Sequence, residues 1–390
     1  MKKYISLLLF LGILLACNNK SIQSDIEVIS ALSDNKSKAH NLFEKVSVLS
    51  LETSDLCLIA YIDRIEIWDG KIFILNSLQS HNNILCFDMQ GNFLFSIDRM
   101  GNGPEEYTYL GDFLIDKRKG ELVLMNENGV SSYFDMQGNF LYKKHTYDQY
   151  FNRQTIYLND SSYLAFNDGD IEPKNHSLLY LNSETMDIRN KSNKINEFYF
   201  NAISKRMNMY NRRILCLTYS DSIYDITDTS NVKIPYYIDF NKTHSSVKEV
   251  IRQNISEWSW DEQIDYENKY YYEGKSFHIS GICENKKYIA LKCMKATSKN
   301  RRGGSIYYNL FYDKLTKKTY NSENIDFGGI SLINLGILSS DNECFYCGLY
   351  SELSEDDKSK IKNNPIFSDE DKKKLIEYTE YDNPLLIILE

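Results

Sequence analysis

A chain of 390 residues, 42% hydrophobic and 25% charged, carries enough apolar material for one large folded unit, which argues against disorder and against a coiled coil. Its formal charge of −9 argues against nucleic acid as a partner, because phosphates demand a positive field. Thirty Tyr and 19 Phe against 18 Gly and five Pro suit pleated, half-buried surfaces, so an all-β fold is expected.

The chain opens with Lys2 and Lys3 and an apolar run from Tyr4 to Leu15, the leading regions of a signal peptide and too short to span a bilayer. Leu14-Leu15-Ala16-Cys17 sets a Cys behind a small residue and resembles a bacterial lipobox, which implies cleavage after Ala16 and acylation of Cys17. Several acyl chains hold a protein at a membrane where one would be marginal. Residues 1–16 thus read as a lipoprotein signal peptide and 17–42 as a lipid-anchored tether, with a propeller over 43–390. Asn18 resembles signals for passage to the outer membrane. The acidic cluster of surface-exported lipoproteins is absent from Asn18 to Gln23, so the periplasmic and surface faces both stay open.

A repeat organises the rest of the chain. Phe87-Asp88-Met89-Gln90-Gly91-Asn92-Phe93-Leu94 recurs letter for letter as Phe134 to Leu141. A period of about 40 to 50 residues made of strand-like segments points to propeller blades, four-stranded sheets that need neighbours to bury their faces. The first blade is predicted as Ile62–Trp68, Lys71–Asn76, Asn83–Asp88 and Asn92–Ile97, with Asp69-Gly70 and Gln90-Gly91 as turns. The second repeats it as Asp112–Lys117, Glu121–Asn126, Val130–Asp135 and Asn139–Lys144. Thr155–Leu158, Ser162–Asn167, His176–Asn182 and Asp187–Ile195 make a third. A fourth is read from Arg213–Tyr219, Ser222–Thr227 and Val232–Phe240, with its inner strand weakly marked near Lys205–Tyr210. Phe277–Cys283, Lys287–Met294, Ile306–Asp313 and Lys318–Phe327 make a fifth. The sixth, Ser331–Leu338, Cys344–Tyr350 and Pro384–Leu389, ends one strand short, and Lys45–Leu51 is the spare strand that would close it. Six blades are expected, with seven as the alternative because the fourth is ambiguous.

Two stretches break the strand rhythm. Val247, Val250, Ile251, Ile255 and Trp258 fall at helical spacing, so a helical insertion is expected at about 245–274. Ser354-Glu355-Asp356-Asp357 and Ser368-Asp369-Glu370-Asp371 read as capping boxes opening two short helices within about 351–381. Such insertions serve as lids, as partner surfaces or as cover for a blade edge.

Arg99-Met100-Gly101-Asn102-Gly103-Pro104-Glu105-Glu106-Tyr107 precedes the second blade. This R-x-G-x-G-P-x-E-Y run after F-D-x-x-G-x-F-L resembles the six-bladed β-propeller lipoproteins of Bacteroidetes, which are similar to NHL-repeat propellers. Leu51-Glu52-Thr53, Ile223-Tyr224, Ile238-Asp239-Phe240 and Asn383-Pro384-Leu385 extend the likeness over Phe43 to Glu390. Glu105 departs from it, since a Gly often stands there. The resemblance implies fold and envelope location and no activity. As a blade-to-blade crossover, the run would carry Arg99, Asn102, Glu105, Glu106 and Tyr107 to the channel mouth as candidate ligand-binding residues. The alternative is that Arg99 pairs internally and Tyr107 packs between blades.

No G-x-S-x-G or H-E-x-x-H motif occurs, and the six His are scattered without metal spacing. Six-bladed lactonases hold calcium with carboxylates and Asn side chains around the channel, so calcium is the one cofactor the pattern admits, with Asp112, Asn159 and Glu284 at or near inner strands. The seven Cys after Cys17 are odd in number and mostly sit in apolar strands, where they read as small hydrophobes. Cys344 and Cys347 form a lone C-x-x-C, short of the second pair that a zinc site needs. The reading favoured is a non-catalytic module binding a glycan, peptide or envelope protein. The alternative is a calcium- or carboxylate-dependent hydrolase, lyase or lactonase working in the channel.

Overall fold

The repeated octapeptide is a hairpin turn shaped to dock on its neighbour. Asp88 Oδ1 accepts from the amides of Gln90 (2.9 Å) and Asn92 (2.8 Å), its Oδ2 accepts from the Asn92 side chain, and Gly91 takes φ +87°. Asp135, Gln137, Gly138 and Asn139 reproduce these bonds, with φ +82° at Gly138. Positive φ favours glycine, and so does space. A Cβ on Gly91 would lie 2.0 Å from the carbonyl oxygen of Ser50, and one on Gly138 would lie 2.5 Å from the Phe95 ring. Both obstacles belong to the outer edge of the preceding blade, so the repeat records the contact between blades.

The computed structural model describes residues 26–78, 81–126, 130–145, 152–167, 178–191, 214–216, 222–225, 233–239, 259, 261–262, 277–296, 305–327 and 336–390. Ahead of the first blade come β1 (Glu27–Ser30), β2 (Ser37–Lys38), the helix α1 (Ala39–Leu42) and β3 (Val46–Leu49). Blade one is β4 (Ile62–Trp68), β5 (Lys71–Leu78), β6 (His81–Asp88) and β7 (Phe93–Ile97). Blade two is β8 (Leu110–Asp116), β9 (Glu121–Asn126), β10 (Val130–Asp135) and β11 (Phe140–His145). Blade three is β12 (Asn152–Asn159), β13 (Ser162–Asn167), β14 (Leu178–Asn182) and β15 (Ile188–Lys191). Blade four has β16 (Ile214–Cys216), β17 (Ser222–Asp225) and β18 (Lys233–Asp239). Blade five is β19 (Phe277–Glu284), β20 (Tyr288–Ala296), β21 (Ser305–Asp313) and β22 (Thr319–Asn321), followed by the short β23 (Ile325–Asp326). Blade six has β24 (Gly336–Ser340), β25 (Phe345–Leu349) and β26 (Leu385–Leu389), with α2 (Glu355–Lys362) and α3 (Asp369–Glu377) inserted after β25. The fold is the expected six-bladed β-propeller.

Closure happens where the spare strand placed it. β3 pairs antiparallel with β26, Leu386 opposite Leu49 and Leu389 opposite Val46, as the outer strand of blade six. Its other edge is covered by α3: the Val48 amide donates to Asp371 Oδ1 (2.8 Å) and Lys374 Nζ donates to the Val48 carbonyl (3.1 Å). An exposed strand edge invites mispairing, so this insertion covers an edge. Both inserted helices carry the expected serine caps, Ser354 accepting from the Asp357 amide and Ser368 from the Asp371 amide. Of the helix predicted within 245–274, only Ser259, Asp261 and Glu262 fall among the described residues.

One expectation is corrected. Residues 27–42, read as tether, form a strap around blades four to six. β1 pairs parallel with β18 as the outer strand of blade four, and β2 pairs parallel with β23 beside blade five. Glu27 fixes the strap, accepting from the Tyr312 hydroxyl (2.8 Å) and from Lys317 Nζ (2.5 Å). A four-residue strand and a two-residue strand with distant partners leave no local pattern. The innermost described strand of blade four is then Ile214–Cys216, and Lys205–Tyr210 lies outside the described residues.

Apolar clusters lie between consecutive blades: Phe73, Cys86, Phe113 and Leu124 between blades one and two, Leu49, Ile65, Ile74 and Leu386 between six and one. Cys57, Cys86, Cys283, Cys293 and Cys347 are buried and Cys344 half-buried, and none of these six forms a disulfide. Burial pushes the thiols of Cys86, Cys283 and Cys344 up to about 12, so they are unreactive apolar groups. Among the described residues no helix is long and apolar enough to cross a membrane.

Candidate functional site

Five inner strands share a defect that shapes the channel. In β4 the register against β5 skips a residue between Ile62 and Arg64, and the same skip falls between Leu110 and Asp112, Asn152 and Gln154, Ile279 and Gly281, and Ile337 and Ser339. Bulges re-aim side chains, and five in register around one disc set a ring of equivalent positions. At two of them stand Arg64 and Asp112. Arg64 Nη1 donates to Asp112 Oδ1 (2.9 Å), Asp112 Oδ2 (2.8 Å) and the Thr155 carbonyl (3.0 Å), and Nη2 donates to Glu66 Oε1 (2.7 Å). The Thr155 amide donates to Asp112 Oδ2 at 2.7 Å. One guanidinium thereby ties the inner strands of blades one, two and three.

Both charges are withdrawn from water, the side chains of Arg64 and Asp112 being 9% and 4% exposed. Burial acts to lower the Arg64 pKa, yet the charges of Asp112 and Glu66 outweigh it and hold the guanidinium above its ordinary value. Burial pushes the Asp112 carboxyl above its ordinary value, against the pull of Arg64 and the Thr155 amide. The three oxygen ligands considered for calcium are engaged apart from one another. Asp112 holds Arg64, Asn159 accepts from the Ser161 amide (3.0 Å), and Glu284 pairs with Lys314 (2.9 Å). Among the described residues no three His, Cys, Asp or Glu stand together as a metal site requires.

The run from Arg99 to Tyr107 lies at the outer half of the seam between blades one and two, not at the channel mouth. Tyr107 is buried, its hydroxyl donating to the carbonyls of Asn82 (2.9 Å) and Ile97 (3.1 Å) in blade one. Arg99 lies over the Phe134 ring and pairs with Glu105 at 2.5 Å. Glu106 Oε2 accepts from the Gly103 amide (2.7 Å) and fills the space beside Gly101, where a Cβ would come within 2.0 Å of it. Lys143, on the outermost strand of blade two, donates to the carbonyls of Gly103 (3.3 Å) and Glu106 (2.5 Å). Asn102 is exposed. The crossover bends outward because its polar groups close on one another and on Lys143, a partner 36 positions beyond Tyr107 that no motif announces.

Another face stands open. The crossover from blade six to blade one is fastened by Asn383, whose Nδ2 donates to the carbonyls of Glu52 (2.6 Å) and Cys57 (2.8 Å) and whose Oδ1 accepts from the Ile59 amide (2.8 Å). Asn76 of blade one accepts from the Ala60 amide (2.9 Å) and donates to the Leu58 carbonyl (3.1 Å). Held between them, the crossover leaves Leu56, Leu58 and Tyr61 exposed by 74%, 52% and 54%. Tyr61 stacks on Tyr350, at the end of β25, with ring centroids 6.3 Å apart and planes 20° from parallel, and Tyr381, two residues before Asn383, is 82% exposed. The sequence reading missed this patch. One signal was present: Tyr61 and Tyr109, both exposed, directly precede the inner strands of successive blades.

Comparison with known proteins places the architecture. The chain resembles an exported protein of Bacteroides fragilis, at 19% identity with a TM-score of 0.70 over 94% of this chain and 99% of that one. It also resembles a member of the DUF4221 family from Bacteroides vulgatus, at 11% identity with a TM-score of 0.53 over 89% and 96% of the two chains. At these identities the likeness is one of fold. No curated protein matches the chain. The profile of a domain of unknown function, DUF4934, matches residues 23–390, and the chain belongs to that family.

Proposed function

We propose that the chain is a non-catalytic binding module of the bacterial envelope, held at the outer membrane through an acylated Cys17, with the open face between blades six and one as its binding surface. The observation that carries this reading is Leu56, Leu58 and Tyr61 left in water on a rigidly fastened crossover, with Tyr350 stacked on Tyr61 and Tyr381 exposed two residues before Asn383. Contiguous exposed apolar groups mark interaction sites. Arg64 and Asp112 of the inner strands, by contrast, are engaged with one another, and Asp112 also holds the Thr155 amide. The Bacteroides fragilis relative is described as an exported protein, which supports an envelope address.

A thermal-shift screen of the Asn18–Glu390 chain with calcium, a chelator, glycan pools and peptide pools tests this. A ligand at a hundred times its dissociation constant adds about 2.7 kcal/mol, which raises the midpoint by roughly 3 °C in a chain this long. The expected result is a rise with a glycan or peptide pool and none with calcium. A midpoint that follows calcium would overturn the reading in favour of a hydrolase, lyase or lactonase in the channel.

A further inference from the structure

We infer that the partner of this face is a cationic peptide segment, one that sets Lys or Arg beside apolar or aromatic anchors. The inference rests on the binding-module reading and names the class of partner. The three stretches that build the face, 52–63, 350–357 and 377–383, contain ten Asp or Glu and no Lys, Arg or His. Several of these carboxylates are already engaged. Glu52 accepts from the Phe93 amide, Asp382 from Thr379, and Glu352 and Asp356 pair with Lys358 and Lys360. Asp55, next to Leu56, and Glu380, next to Tyr381, are exposed and have no ion-pair partner among the described residues. The most exposed apolar side chains of the face are thus flanked by uncompensated negative charge.

Chemistry narrows the occupant. Tyr rings offer their negative faces to cations, Arg above all, and an apolar anchor gains from leaving water against Leu56 and Leu58. Carboxylates at the rim steer a positive partner in and repel an acidic one. An acidic peptide or an anionic lipid surface would meet repulsion from Asp55 and Glu380. The patch is also preorganised, because Asn383 and Asn76 hold the crossover by its backbone and Tyr350 braces Tyr61.

Panning a random dodecapeptide display library on the Asn18–Glu390 chain, with a Leu56→Ser/Tyr381→Ser variant for counter-selection, tests the inference. Sequences enriched on the native chain should carry at least two net positive charges and an aromatic or large aliphatic residue. The strongest of them should bind the double variant at least tenfold more weakly. Asp55→Asn/Glu380→Gln should weaken it several-fold and flatten its salt dependence, with both variants melting like the native chain because all four side chains are exposed. Enrichment of neutral or acidic peptides, or of none that depends on the patch, would overturn the inference. Glycan binding in the thermal-shift screen alongside such a result would leave the binding-module reading standing, so the two failures are distinguishable.

Discussion

Replacing Asp112 by Ala removes the carboxylate that Arg64 grips at 2.8 and 2.9 Å and strips the Thr155 amide of its acceptor. The guanidinium, only 9% exposed, keeps the Thr155 carbonyl and Glu66 but loses its buried counter-charge. Breaking one side of a buried pair costs about 3 to 5 kcal/mol. An unfolding entropy of about 2.1 cal/mol/K per residue gives roughly 0.8 kcal/mol/K for 390 residues, so the midpoint should fall by about 4 to 6 °C. Arg64→Met/Asp112→Leu removes both charges and should recover most of the loss, because burial already works against the ionised Asp112. Scanning calorimetry on Asp112→Ala, on the singles Arg64→Met and Asp112→Leu, and on the double variant decides it. A single variant melting within about 1 °C of the native chain, or a double variant losing the sum of the singles, would refute the claim that one buried pair ties three blades.

Other outcomes follow from the same contacts. Asn383→Ala deletes three bonds to crossover backbone and should cost about 2 to 4 kcal/mol while weakening any ligand of the face, read by calorimetry and by the peptide assay. A chain beginning at Phe43 uncovers the edges of β18 and β23 and should melt well below one beginning at Ile26 and aggregate; equal midpoints would make the strap dispensable. Tyr107→Phe removes the one hydroxyl proton that the Asn82 and Ile97 carbonyls share and should cost about 1 to 3 kcal/mol with ligand affinity unchanged; lost affinity would return the crossover to the binding site. Burial acts to raise Asp88 and Asp135, yet the bonds from Asn92 or Asn139 and the turn amides together outweigh it and hold both below the ordinary carboxylate value. Depressed carboxylates lend stability above their unfolded pKa of about 3.9 that is lost as pH falls through the folded value. The urea midpoint should therefore drop below about pH 4, and Asp88→Asn/Asp135→Asn should flatten that drop; an unchanged slope would contradict it.

What could be read from the sequence divides by the range of the forces involved. The octapeptide repeat is a local device, with Asp, Gly and Asn bonding inside one turn, so blades one and two were legible to within a residue or two. Val46–Leu49 was legible through the alternation of Val46 and Val48 together with the need for closure. β1 was not, because its four residues pair in parallel with Tyr236–Asp239 at the far side of the chain. Arg99 and Tyr107 drew notice as a motif, yet their partners Phe134, Asn82 and Ile97 make them fixtures of a seam. Leu56, Leu58 and Tyr381 drew none, since exposure arises from how Asn383 and Asn76 hold the loop and not from any spacing.

The face between blades six and one is proposed to receive a cationic segment. A photo-crosslinking residue placed at Leu56 or at Tyr381 in the full chain, in the envelope, tests it directly, with the exposed Leu315 on the turn before β22 as the control position. Adducts should form at positions 56 and 381 and not at 315, and mass spectrometry should map the captured segment to a stretch rich in Lys or Arg. Equal capture at all three positions, or a captured segment that is acidic, would contradict it.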